Sequence, residues 1–153
     1  MQVFCLIYFL FCKPLNCIID FSKYFYYNCF GDNMNCIFCK IVNGEIPSYK
    51  IYEDEKIMAF LDINPYSPGH TLIIPKEHTL DINSIDDDTL MHIMKHAKII
   101  SKDITSKLNA EGFTLIQNNG FVQEVKHFHL HVIPKYKEKF EINIKEVYEK
   151  ITH

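Results

Sequence analysis

Residues 127–134 read His-Phe-His-Leu-His-Val-Ile-Pro, three imidazoles on alternate positions with Phe128, Leu130 and Val132 between them. In an extended strand alternate side chains share a face. That puts His127, His129 and His131 on one side at steps of about 6.6 Å, and the apolar residues on the other. Crowded, partly buried imidazoles lose their charge, because burial and neighbouring positive charge both disfavour the protonated form. A neutral imidazole with a fixed tautomer either ligates metal or attacks phosphorus or carbonyl carbon with its free lone pair. A half-buried strand whose outer face happens to be histidine is the plain structural alternative. Cys36-x-x-Cys39 is half of a tetrahedral zinc site that needs two further ligands, or else a pair of reduced thiols in the core. His92 and His96 stand four apart on a helical stretch, a spacing that chelates surface metal in principle. They lie off the apolar stripe, so solvent exposure is expected. The chain shows no HExxH, no glycine-rich phosphate loop and no paired catalytic carboxylates.

The elements that must position these residues follow from periodicity and punctuation. "YKIYED" and "KIMAFLDI" are rich in aromatic and aliphatic residues and read as two strands joined near Asp54 and Glu55. "NPYSPGH" is a loop, and "HTLIIPKEH" is a third strand that ends at Pro75. Ser84 followed by Asp86, Asp87 and Asp88 reads as a hydroxyl cap and an acidic first turn. From there Leu90, Ile93, Met94, Ala97, Ile100, Ile104 and Leu108 recur at helical spacing, and the helix is expected to end near Asn109. "FTLIQNN" and the histidine segment are two more strands, separated by a loop at Asn119–Val122. "EINIKEVYEKITH" reads as a short amphipathic helix. A β-β-β-α-β-β order argues for an α+β fold with a mostly antiparallel five-stranded sheet and one long helix.

The chain has 153 residues, enough for one domain with one core, and a formal net charge of −3 with no basic stripe, so general nucleic-acid binding is not expected. No cysteine follows Cys39, so disulfides cannot staple the body of the domain, as in a reducing compartment. Residues 1–33 differ in composition: they hold ten of the twenty-one aromatics and only four charges. Their apolar run, Val3 to Cys12, is too short for a bilayer-spanning helix and lacks the basic start and small-x-small cleavage site of a signal peptide. The expectation is an N-terminal extension at 1–33 that is a targeting segment, a real extension or upstream sequence, with Met34 favoured as the start. A functional domain at 34–136 and a tail at 137–153 complete the division.

"HFHLHVI" matches at every position the histidine triad (HIT) signature, His-φ-His-φ-His-φ-φ with φ apolar. "NCIFCKIVNGEIPSYKIYEDEKIMAFLDINPYSPGHTLIIPKEH" and "NNG" followed by "QEV" resemble Hint-type and bacterial Hit-type members in the same order, over about residues 35–136. The resemblance implies a homodimer in which the long helix and a strand join two sheets. It implies a hydrolase or transferase that cleaves AMP from an amine, as adenosine 5'-monophosphoramidases do, or from another phosphate, as dinucleoside polyphosphate hydrolases do. The reaction would pass through a nucleotidyl-histidine intermediate and require no cofactor for catalysis. On this reading His129 is the nucleophile, while His131 supplies the backbone carbonyl that fixes its tautomer and turns its side chain to the phosphate. His70 supports them. Asp62 holds the ribose of a purine nucleotide, Ile63 lies beside the base, Asn118 reaches the sugar–phosphate, and Gln123 and Glu124 occupy the phosphate-side loop. The resemblance also implies a structural zinc on Cys36, Cys39, His78 and His127. Val122 stands where glycine is usual before the glutamine, and Glu124 where serine is common, which bears on substrate choice. A zinc hydrolase using the three histidines as ligands, and a non-catalytic nucleotide-binding scaffold, are the competing classes. The expected location is cytoplasmic, without stable membrane association, or an organelle or the secretory route if residues 1–33 direct it there.

Overall fold

A computed structural model describes residues 36–138 and 143–153, and the expectations placed on 1–33 and Met34 lie outside them. A short helix α1 (Ile37–Val42) leads into strands β1 (Lys50–Glu53), β2 (Ile57–Leu61) and β3 (Thr71–Pro75). The long helix α2 (Asp87–Leu108), strands β4 (Gly112–Gln117) and β5 (Leu130–Lys135) and helix α3 (Ile144–Thr152) follow. The five strands form one sheet in the order β1-β2-β3-β5-β4, every neighbouring pair antiparallel. The fold is the expected α+β arrangement. Among the described residues no helix is long and apolar enough to cross a membrane.

β2 and β3 are buried at every position, which explains why "IMAFL" and "TLIIP" read as unbroken apolar runs. Alternation divides them between two cores. Ile57, Ala59, Leu61, Ile73, Leu130 and Val132 face the helical layer, where Ile93, Ala97, Ile100, Ile104 and Leu108 of α2 meet them. Met58, Phe60, Leu72 and Ile74 face the other way and pack with Phe38 of α1. α1 thus covers the face of the sheet on which the triad side chains sit.

The start of α2 differs from expectation. Its N-cap is Asp86, whose carboxylate accepts from the Thr89 amide at 2.9 Å, while Ser84 bonds Asp81 in the preceding turn. Both residue types cap well; an extended backbone at Asp86 decides which does so here. The helix ends as expected at Asn109, which adopts the left-handed conformation at φ 54°. Met94 leaves the expected stripe and is exposed; Ser101 takes an interior position instead, its hydroxyl donating to the Lys98 carbonyl. The amphipathic C-terminal helix is present, but residues 144–152 are no tail: Val147 and Ile151 are buried in the main core.

The histidine segment also departs from a single continuous strand. The β5 ladder begins only at Leu130, leaving His127 in a bend and His129 in irregular chain ahead of it. Both neighbouring ladders stop at Leu130, against Ile73 of β3 and Gln117 of β4; Pro75, two residues further along β3, has no amide hydrogen to give. The Phe128 amide instead donates to the Thr79 carbonyl, and the His127 amide to the Val125 carbonyl.

Candidate functional site

Because His127 stands outside the ladder, its carbonyl is free for side chains. It accepts from Nδ1–H of His129 at 2.7 Å and from Nε2–H of Gln123 at 3.1 Å. The expected source of the His129 tautomer, the His131 carbonyl, is therefore corrected to that of His127. The histidine leans back along the chain onto the residue two positions before it. With Nδ1 protonated, the lone pair of His129 lies on Nε2. No described residue bonds that atom, and it is not sealed from solvent, although the ring as a whole is buried. Burial lowers the His129 pKa below the ordinary histidine value, outweighing the His127 carbonyl and the charges of Asp62 and Glu124, which favour protonation. Phe38 meets the ring edge-on at 5.3 Å, a packing partner that no motif singles out.

A second chain of bonds fixes His131. The Tyr66 amide donates to Nδ1 of His70 at 3.3 Å, so His70 carries its proton on Nε2 and donates it to Nδ1 of His131 at 2.9 Å. Asp62 Oδ2 is also 3.5 Å from His70 Nδ1, a longer contact that the directed amide hydrogen overrides. His131 is left with its proton on Nε2, a buried donor without a hydrogen-bond partner. Such an orphan points to a missing acceptor. Burial, with His129 and His70 alongside, pushes the His131 pKa down to about 4.

Asp62 is half-buried just after β2, with Oδ1 accepting from the Asn64 amide and Oδ2 turned to His70. Ile63 is exposed beside it. The Asn118 side chain makes no hydrogen bond to the described residues, and Glu124 is exposed. Gln123, on the loop just before the triad, is buried, and its amide nitrogen bonds the Leu80 and His127 carbonyls, so it braces the loop from inside. A cavity of about 370 Å³ opens on the α3 side of the 62–70 loop; it touches Asp62, Tyr66 and His70 but none of the triad.

Cys36, Cys39, His78 and His127 converge as one cluster. Cys36 Sγ lies 3.5 Å from His127 Nδ1, and Cys39 Sγ lies 3.2 Å from His78 Nδ1 and 3.6 Å from His127 Nδ1. Tetrahedral zinc, with Zn–S of about 2.3 Å and Zn–N of about 2.0–2.1 Å, has S···N edges of roughly 3.6 Å, so the donors fit that ion. Nε2–H of His127 donates to the Pro75 carbonyl at 2.9 Å, which leaves Nδ1 as the lone pair facing the sulfurs. Burial lowers the pKa of His78 and takes that of His127 down to about 4, so both rings are neutral and competent to ligate. Burial and the neighbouring Cys36 push the Cys39 thiol up to about 12.

His92 and His96 are not the free surface pair expected from sequence. Both are half-buried and lie against Asp54 from the β1–β2 turn.

The HIT domain family matches residues 43–138, most of the described chain. The chain belongs to the HIT family. It is 48% identical over 104 residues to an uncharacterized HIT-like protein of Methanocaldococcus jannaschii, covering 67% of this chain and 80% of that one. It is 44% identical over 111 residues to the adenosine 5'-monophosphoramidase of Candida albicans, covering 69% and 73%. Among solved structures, a Hit-like protein of Bartonella henselae superimposes with a TM-score of 0.73 at 38% identity, over 79% of this chain and 96% of the other. A zinc-bound histidine triad family protein of Mycobacterium smegmatis gives 0.66 at 32% identity, over 79% and 93%. Membership accounts for the triad and the sheet together.

Proposed function

We propose that this HIT protein is a nucleotidyl hydrolase that releases AMP from an amine, a phosphoramidase activity, by way of a covalent adduct on His129. The observation that carries the reading is the His127 carbonyl on His129 Nδ1, which leaves Nε2 as a neutral lone pair at the site. Nε2 attacks the α-phosphorus; the P–N bond to the leaving amine breaks, and the amine departs with a proton. Water then attacks the same phosphorus, the P–Nε2 bond breaks, and AMP leaves with His129 neutral again. His131 supports the first step by donating its orphaned Nε2–H to a phosphate oxygen, with His70 holding the ring. Asp62 takes the ribose hydroxyls, Ile63 borders the base, and Asn118 reaches the sugar–phosphate. Glu124, exposed on the loop before the triad, borders the phosphate side. Relatives named adenosine 5'-monophosphoramidase favour an amine over a second phosphate as leaving group.

Cys36, Cys39, His78 and His127 would hold a structural zinc, a closed four-ligand set that pins α1 to the sheet. The triad does not act as a three-histidine metal site on this reading, because its members are divided. His127 belongs with the cysteines and His131 with Asp62 and His70. A homodimer is supported by the edge position of β4 among the described strands and by exposed Met91, Met94, Phe113 and Ile116 on α2 and β4.

Incubation with an adenosine phosphoramidate tests the reading. Turnover should survive a chelator, disappear in His129→Ala, and leave adenylylated His129 in rapid-quench samples. Nucleotide binding without turnover, or an adduct on another side chain, refutes it.

A further inference from the structure

Helix α2 and the β1–β2 turn meet at a cluster that has no part in the nucleotide site. The Asp54 carboxylate closes the turn: Oδ1 accepts from the Lys56 and Ile57 amides at 2.8 and 2.9 Å. Its Oδ2 accepts from the Tyr52 hydroxyl at 2.8 Å and faces Nε2 of His92 at 2.6 Å. One turn further along α2, Nδ1–H of His96 donates to the His92 carbonyl at 2.9 Å, which leaves the Nε2 lone pair of His96 unbonded. The His92 and His96 rings lie 4.3 Å apart, and Tyr52 packs on His96 at 4.7 Å. One ligand atom from each of Asp54, His92 and His96 falls within 4.8 Å of the others.

We propose that Asp54, His92 and His96 form a second transition-metal site, of the zinc(II) class, that clamps the β1–β2 turn to the long helix.

Three features single this cluster out from an ordinary histidine–aspartate hydrogen bond. Histidines four apart on a helix present both rings on one side, the arrangement two imidazoles need to share an ion. Two of the three potential ligands are also held from behind. His96 is oriented by a backbone carbonyl, and Asp54 by two amides and a phenol, the supporting bonds that metal ligands characteristically have. The donors are two imidazoles and one carboxylate, which suits zinc and its neighbours and not calcium or magnesium. On binding, the ion takes the place of the proton between His92 and Asp54, while Tyr52 keeps its bond to the carboxylate. Three protein ligands leave a position for water, and the side chains are part-exposed, so the ion exchanges more readily than one held by the thiolate set. The site is independent of the hydrolase reading, since none of its residues approaches His129.

Full-length protein, purified without chelator and with its zinc content measured, is titrated with further zinc(II). Uptake is followed by calorimetry and by the ring nitrogen resonances of His92 and His96. Uptake beyond the cysteine cluster, with both rings shifting, is expected. His96→Gln and Asp54→Asn should each weaken that uptake by at least about tenfold, while Cys39→Ser leaves it in place. Circular dichroism shows that each variant is folded. The proposal fails if the rings do not shift in excess zinc, or if both folded variants bind with unchanged affinity.

Discussion

Lowering the pH of chelator-treated protein should unfold it through its histidines before its carboxylates are touched. His127 and His131 ionise near 6.5 in an unfolded chain and near about 4 when buried in the fold. Between those values the unfolded chain carries protons that the folded one refuses, so stability falls as pH falls through that window. Above pH 6.5 both states are neutral and the term vanishes; below about 4 both are charged and it levels off. Each histidine removes about 1.4 kcal/mol per pH unit, or about 3 kcal/mol over the whole window. Two together approach the 5–15 kcal/mol that holds a domain of this kind. His70, His78 and His129 are lowered as well and add in the same direction. Carboxylates act lower. Glu53, Asp54 and Asp86 are held below their usual values, so their stabilisation is present above the ordinary carboxylate range and is lost only beneath it. Urea titrations at half-unit steps from neutral pH down to the top of the carboxylate range read the effect directly. His131→Asn should reduce the slope by about 1.4 kcal/mol per pH unit. A wild-type slope near zero, or one unchanged in His131→Asn, would show that these rings are not held neutral by burial.

Gly69 sits at φ +83°, and an added Cβ would come within 2.6 Å of Leu108 Cδ1 and 3.0 Å of Ile104 Cγ2. Gly69→Ala should therefore cost about 2–4 kcal/mol from backbone strain and overpacking, seen as a lower urea midpoint; an unchanged midpoint contradicts the geometry. A strong chelator should lower the melting temperature of wild type by more than that of Cys39→Ser, with equal shifts in both telling against zinc on the thiols. Gln123→Leu removes one hydrogen bond to the part-buried Leu80 carbonyl and one to the His127 carbonyl, together costing about 1–3 kcal/mol. If Gln123 braces the loop and does not hold the phosphate, this variant keeps its KM while kcat falls; a KM rise with kcat intact assigns it to substrate.

Helical spacing located α2, and Asn109 marked its end, because both signals are local. Strands β2 and β3 were equally plain, since runs such as "IMAFL" bounded by turn residues leave little choice. The helix start was ambiguous at Ser84 and Asp86 because each carries a competent cap, and only the backbone around Asp86 separates them. Met94 read as core because a stripe of seven apolar residues between Leu90 and Leu108 tolerates a member on its border. The site shows the same division. Residue types placed the triad on one face, but which carbonyl holds His129 depends on where the β5 ladder begins. That point is set by pairing with residues distant in sequence, Ile73 of β3 and Gln117 of β4. The environment of His92 and His96 was invisible for a similar reason: Asp54, their partner, lies 38 residues from His92.

His127 belongs to two devices at once. Its ring reaches toward the thiols, and its carbonyl steers the attacking ring two residues later. A shift of His127 is thus felt by the thiols and by the attacking ring alike, so the two cannot be repositioned independently.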